Sequence, residues 1–179
     1  MLSDLIKRTG SLLAKVSSAP GNIKAAQKGH HGTNIKKGKK VIRKISEITG
    51  DTPQETFARR LGYLRSIDPL VFEELVLEAF QRDNYPIRRN HRYSGDGGLD
   101  GRVYMDSGWW AIQCKRYQGA VHKAHIEQFR EDAIREGCIG GVFLHTGKTP
   151  KNGKQLSQGV TIISGSRLTD WLAGERKLR

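Results

Sequence analysis

The chain has 179 residues, of which 36% are apolar, 31 are lysine or arginine against 18 aspartate or glutamate, and two are cysteine; its formal net charge is +13. That length holds one ordinary domain and an extension, with enough apolar material for a core but not a generous one. Apolar runs of only a few residues exclude a membrane-spanning helix, two cysteines without ligand or disulfide spacing exclude a zinc module or disulfide scaffold, and the charge points to a polyanion, either nucleic acid or an anionic membrane surface.

The charge is uneven. Residues 1–66 carry 14 basic against 4 acidic side chains, and residues 67–179 carry 17 against 14. Within residues 1–18, Leu2, Leu5, Ile6, Leu12, Leu13 and Val16 could line a short amphipathic helix that docks a partner or a membrane surface, although Thr9-Gly10-Ser11 interrupts it. Lys7, Arg8 and Lys15 break the run, so it does not read as a secretory signal. Residues 19–40 are rich in Gly, Lys and small polar residues with almost nothing to bury, so residues 1–40 are expected to form a basic, largely disordered arm. Its cluster Lys36, Lys37, Lys39 and Lys40 can bind phosphates of nucleic acid without reading sequence, or simply solubilise a linker. His30-His31 has no acidic or cysteine partner nearby and is set aside as a metal pair.

Residues 41–66 are expected to form a small helical segment. Val41, Ile42, Ile45 and Ile48 recur at helical spacing up to Gly50, and Asp51-Thr52-Pro53 reads as the start of a second helix. Phe57, Leu61 and Leu64 share one side of it, leaving Arg59, Arg60 and Arg65 more exposed. A third domain unit follows over 67–179. Asp68-Pro69 starts a helix to residue 83 with Phe72, Leu75, Val76, Ala79 and Phe80 inward, while Glu74 and Glu78 are read as solvated. Asn84-Tyr85-Pro86 turns into a strand over 87–93 carrying Arg88, Arg89, His91 and Arg92, which can contact phosphates or protect a sheet edge from aggregation.

A glycine-rich turn then leads into a β-hairpin, with strands 99–105 and 109–115 about Asp106-Ser107-Gly108. Val121–Glu136 reads as a helix with Ile126, Phe129, Ala133 and Ile134 inward. Cys138–Thr146 is the apolar run of a buried central strand. A loop over 147–159 carries Lys148, Lys151 and Lys154, a last strand spans 160–164, and a closing helix spans 167–173. The order α-β-β-β-α-β-β-α implies an α/β sandwich, a mixed sheet flanked by helices on both faces, with the strands joined through the Val121 helix running parallel. Cys114 and Cys138 fall in apolar strands and read as buried, reduced thiols of a cytoplasmic protein.

The hairpin carries the chemistry. Alternation places Gln113 and Lys115 on one face and Ile112 and Cys114 on the other, and antiparallel pairing can bring Asp100 close to Lys115. A hard cation such as Mg²⁺, or Mn²⁺, takes oxygen ligands, which Asp100, the Gln113 amide and the Cys114 backbone carbonyl can supply. Lys115 can stabilise charge developing at phosphorus or hold an attacking water. In isolation the same pattern also describes a surface hairpin with a capping Asp and a solvated Lys.

The flanking residues favour the first reading. S-G-D-G-G-L-D-G at 94–101 followed by I-Q-C-K-R-Y at 112–117 resembles the signature of the Mrr-like restriction endonuclease family, a branch of the PD-(D/E)XK nuclease superfamily in which Gln often replaces the usual acid of the third motif. F-E-E-L-V at 72–76, V-F-L-H-T at 142–146 and I-I-S-G-S-R-L at 162–168 extend the likeness over about residues 68–173. The resemblance implies a restriction-endonuclease-like fold in which Asp100 is the metal-binding aspartate, Gln113 and Lys115 the Q-x-K pair, Glu73 the helix glutamate, and Asp96 an acidic position within the glycine turn. Arg116 beside Lys115 is expected to hold phosphate. The implied activity is Mg²⁺-dependent hydrolysis of DNA phosphodiesters by a type IV, Mrr-like endonuclease, possible as a homodimer. A structure-selective repair or junction-resolving nuclease and a non-catalytic DNA-binding accessory module remain alternatives.

Overall fold

The computed structural model describes residues 30–90, 98–150 and 159–178. The amphipathic stretch 1–18, His91, Arg92, Asp96, Lys151 and Lys154 lie outside them. Along the chain run α1 (His30–Glu47), α2 (Pro53–Ser66), α3 (Pro69–Arg82), β1 (Ile87–Arg89), β2 (Gly101–Met105), β3 (Gly108–Lys115), α4 (Lys123–Arg135), β4 (Gly140–His145), β5 (Val160–Ile163) and α5 (Gly165–Ala173). From α3 onward this is the expected order, and the fold is the expected α/β sandwich.

Local chemistry sets the elements. Thr52 caps α2 by accepting from Glu55 N at 3.1 Å, and Asp68 caps α3 by accepting from Leu70 N at 2.8 Å, each with Pro at the first helical position. Asp106 (φ 50°) and Ser107 (φ 67°) form a two-residue loop between paired Met105 and Gly108, the left-handed turn that matches strand twist. The sheet order is β1-β2-β3-β4-β5. The first three strands are antiparallel, whereas β3, β4 and β5 are parallel, joined first by the α4 crossover.

Alternation along the strands divides the core into two layers. Ile87, Val103, Ile112, Cys114, Val142 and Leu144 pack with α1, α2, α3 and α5. Ala111, Phe143 and Val160 face α4, meeting Ile126, Phe129 and Ala133. Every residue of β4 is buried, as a central strand requires. Each fully buried Phe or Leu contributes on the order of 1.5–3 kcal/mol relative to exposure.

Three expectations are corrected by packing. Residues 30–40 belong to α1 and not to a disordered arm, because Ile35, Gly38, Val41 and Ile45 are buried where α1 lies on α3. Residues 41–66 are helical as expected, and Val41, Ile45 and Leu64 pack in the core of the sheet. Arg60 is only 1% exposed, since Ile48 O accepts from its Nε at 3.1 Å and Glu175 Oε2 from its Nη1 at 2.7 Å. Ile134, expected inward, is 68% exposed because α4 turns Ile126, Phe129 and Ala133 to the sheet instead.

The α1–α3 contact is close enough to demand glycine. A Cβ on Gly38 would lie 3.0 Å from Leu75 N and 3.2 Å from the Glu74 carbonyl carbon, atoms of another helix backbone that cannot rotate away. Gly62 of α2 has nothing within 4 Å. Gly38→Ala should therefore destabilise by about 1–3 kcal/mol, while Gly62→Ala should stabilise by up to about 1 kcal/mol through helix propensity. Urea unfolding midpoints check both; shifts of the same sign would refute the packing argument.

Candidate active site

The site forms where the β2–β3 ladder ends. Its last pair is Gly101 with Ile112, and just beyond it Asp100 N donates to Ile112 O at 2.8 Å. The Asp100 side chain turns back to β3, where its Oδ2 accepts from Cys114 N at 2.6 Å. Residues 112 and 114 direct their main-chain groups toward β2, so the Cys114 carbonyl lies on the Asp100 side of the strand. Gly98 (φ 79°) makes the turn into this segment, and its carbonyl accepts from Gln113 Nε2 at 2.6 Å. With its nitrogen held there, the Gln113 amide is fixed in orientation and its oxygen remains as an acceptor.

Helix α3 brings Glu73 to the same place. Burial, followed by the Asp100 and Glu74 carboxylates, pushes Glu73 up to about 8, against a lowering influence from Lys115. Burial also pushes Asp100 up to about 6, opposed by the Cys114 N–H and Lys115. Two carboxyl groups that resist ionising together, with a single ammonium beside them, make a site short of positive charge. The Cys114 thiol is raised well above its ordinary value by burial, so it is an inert packing group.

This donor set suits a hard divalent cation: two carboxylates, one amide oxygen and one main-chain carbonyl. Among the described residues no group of three or more His, Cys, Asp and Glu is placed to hold a metal, so the neutral oxygens of Gln113 and Cys114 are needed to complete such a site. Glu73, Asp100, Gln113, Cys114 and Lys115 are thus brought together from α3 and the hairpin.

The cationic residues expected to meet phosphate divide. Arg89 is not available: its Nε donates to Glu74 Oε2 at 2.9 Å and its Nη2 pairs with Glu78. This also corrects the solvated reading of Glu74 and Glu78, which are 1% and 7% exposed. Arg88 points to the other face of β1, exposed, with its guanidinium carbon 4.8 Å from the centre of the Trp109 ring. Arg116 is exposed and donates to Arg65 O, and Lys148 is exposed in the loop after β4. Lys36, Lys37 and Lys40 are exposed on α1, as is Lys39, whose Nζ lies 3.5 Å from Glu78 Oε2.

His31 was missed as a site residue. It lines a small cleft together with Glu73, Arg89, Asn90 and Asp100, and its Nδ1 lies 3.1 Å from Glu74 Oε1. The acidic partner absent from its neighbourhood in sequence lies 43 positions away.

No curated protein and no solved structure gives a significant match to the chain. A family model described as restriction endonuclease, the Mrr catalytic type, matches residues 64–172, which takes in α3, the whole sheet, α4 and nearly all of α5. Those residues contain Glu73, Asp100, Gln113 and Lys115, and the chain belongs to this restriction endonuclease family of DNA-hydrolysing nucleases.

Proposed function

We propose that this chain is a Mg²⁺- or Mn²⁺-dependent endonuclease that hydrolyses DNA phosphodiesters by attack of water at phosphorus. The observation that carries the reading is the convergence of Asp100 and Glu73, two half-buried carboxyls with raised pKa values, on Gln113 and Lys115 at one end of the hairpin. Asp100, the Gln113 oxygen and the Cys114 carbonyl would hold the cation, with Glu73 restoring the second carboxylate that Gln113 lacks. When bound, the cation supplies Lewis acidity at the scissile phosphate. Lys115 supplies a fixed positive charge where negative charge develops on the phosphoryl oxygens, or orients the attacking water. Type IV, Mrr-like restriction is the biological setting this chemistry fits.

Exposed Arg116 and Lys148 would hold backbone phosphates, as would Arg88 on the α4 side of the sheet. Lys36, Lys37, Lys39 and Lys40 extend the basic surface along α1. Such contacts position DNA without reading its sequence.

Lys115→Ala should lower cleavage of supercoiled plasmid by at least about 100-fold while leaving DNA binding within a small factor of wild type, as should Asp100→Ala. Wild-type nicking by a clean preparation of either variant would refute the assignment. Linear, methylated and branched substrates assayed beside the plasmid separate restriction from repair or junction resolution.

Protons compete with the cation. Below pH 6 both carboxyls are held neutral, and above pH 8 both are ionised, so a divalent cation should bind more tightly as pH rises through that window. The rise in melting temperature produced by saturating Mg²⁺ should be larger at pH 8 than at pH 6, measured by differential scanning fluorimetry; an equal rise at both would contradict the ligand set.

Replacing Lys36, Lys37 and Lys40 together by Gln should weaken DNA binding and reduce the slope of log affinity against log salt by about 2–3. An unchanged slope would remove α1 from the DNA-binding surface.

A further inference from the structure

Helix α1 lies outside the matched residues 64–172, yet its first turn reaches the catalytic cleft. His31 stands on the wall of that cleft and hydrogen-bonds Glu74 through Nδ1 at 3.1 Å. The other Glu74 oxygen accepts from Arg89 Nε at 2.9 Å, and Arg89 also pairs with Glu78, which Lys39 of α1 approaches at 3.5 Å. Polar contacts thus tie α1 to α3 at two levels. Between them, the close approach of Gly38 to Leu75 and Glu74 leaves the two helices no room to slide.

Glu73 and Glu74 are consecutive on α3, so their side chains leave the helix about 100° apart. A small rotation of α3 therefore moves both. Glu74 is a buried carboxylate held from two directions, by His31 of α1 and by Arg89 of β1, and that grip fixes the rotation of the helix. The same rotation sets Glu73 against Asp100. The Glu74 charge is in turn one of the influences that raise Glu73.

We propose that His31 is a positioning residue of the cation site, whose hydrogen bond to Glu74 fixes the setting of α3 that presents Glu73 to Asp100. Its consequence for cleavage rests on the nuclease reading; its consequence for cation affinity does not. Loss of a group that directly orients a ligand typically weakens cation affinity by about 10–100-fold; His31 acts one step further out, on the helix that carries Glu73, so the loss is expected at the low end of that range.

The test is Mn²⁺ affinity of the full chain, read from the electron paramagnetic resonance signal of free Mn²⁺, with plasmid cleavage measured alongside. His31→Phe keeps ring volume and removes the bond; it should weaken Mn²⁺ binding by about tenfold or more and move half-saturation of cleavage by the same factor. His31→Asn can place an amide N–H near the position of Nδ1 and should restore affinity to within about threefold, a rescue that a purely steric role would not produce. Wild-type affinity in His31→Phe, or a folded His31→Asn as weak as His31→Phe, overturns the proposal. Should His31→Phe fail to fold, His31→Ala takes its place: a loss in His31→Ala that His31→Asn recovers upholds the proposal, and equal affinities in the two variants overturn it. A wild-type chain that binds Mn²⁺ and cuts nothing overturns the nuclease reading while leaving His31 tested by binding. One that binds no Mn²⁺ overturns both.

Discussion

The candidate site depends on the hydrogen bond from Cys114 N to Asp100 Oδ2, 2.6 Å long. At the place where β2 stops pairing with β3, the outward N–H of Cys114 would otherwise face an open sheet edge. Asp100 takes the position of the missing strand neighbour and satisfies it with a charge-assisted bond. One carboxylate oxygen is thereby committed to structure, which fixes the direction of the other. Because residues 113 and 115 follow the same pleat, Gln113 and Lys115 are carried to the site by the geometry of β3 itself.

The fold treats its buried charges in two different ways. Arg60 is enclosed by Glu175 and approached by Asp170 at 3.8 Å, and Arg89 is enclosed by Glu74 and Glu78. These pairs satisfy guanidinium donors and carboxylate acceptors internally, so breaking one by removing a partner would leave an uncompensated buried charge. Among the described residues no guanidinium pairs with Glu73 or Asp100; the positive charge acting on both is Lys115. Within a few residues on α3, Glu74 is neutralised by the protein while Glu73 is left to be neutralised by protons or a cation. That contrast separates a structural ion pair from a binding site more sharply than burial does.

Much of the fold was legible because it depends on local pattern. Period-two alternation in the hairpin, Thr52 and Asp68 each followed by Pro, and the apolar run of β4 each signal one element, and all were placed to within a few residues. The hairpin members of the site were legible for the same reason, since Asp100, Gln113 and Lys115 are related by one turn and one pleat. Residues 30–40 were misread because Gly and Lys have no apolar periodicity of their own. The helix there is held by tertiary contact, with Gly38 serving for close approach where its propensity alone would argue against a helix. Arg60 and Arg89 looked like surface cations because their acidic partners stand 115 and 15 or fewer positions away, on other elements. His31 and Glu74 pose the same difficulty across 43 positions.

The charge distribution is consistent with the proposed nuclease chemistry. A cleft with two carboxyls repels a phosphate backbone, and holding those carboxyls partly protonated lowers that repulsion when no cation is present. The rest must come from elsewhere on the surface. On α1, burial of Ile35, Val41 and Ile45 against the core leaves Lys36, Lys37, Lys40, Arg43 and Lys44 facing outward. The apolar spacing that docks this helix on α3 is therefore also what sorts its cations onto one exposed face. Since His31 stands at the start of the same helix and in the wall of the cleft, that face begins beside the acidic site. On the proposed reading, a polyanion attracted along α1 would be led toward the place where Glu73, Asp100 and Lys115 converge, so that a long-range attractive field serves a repulsive centre.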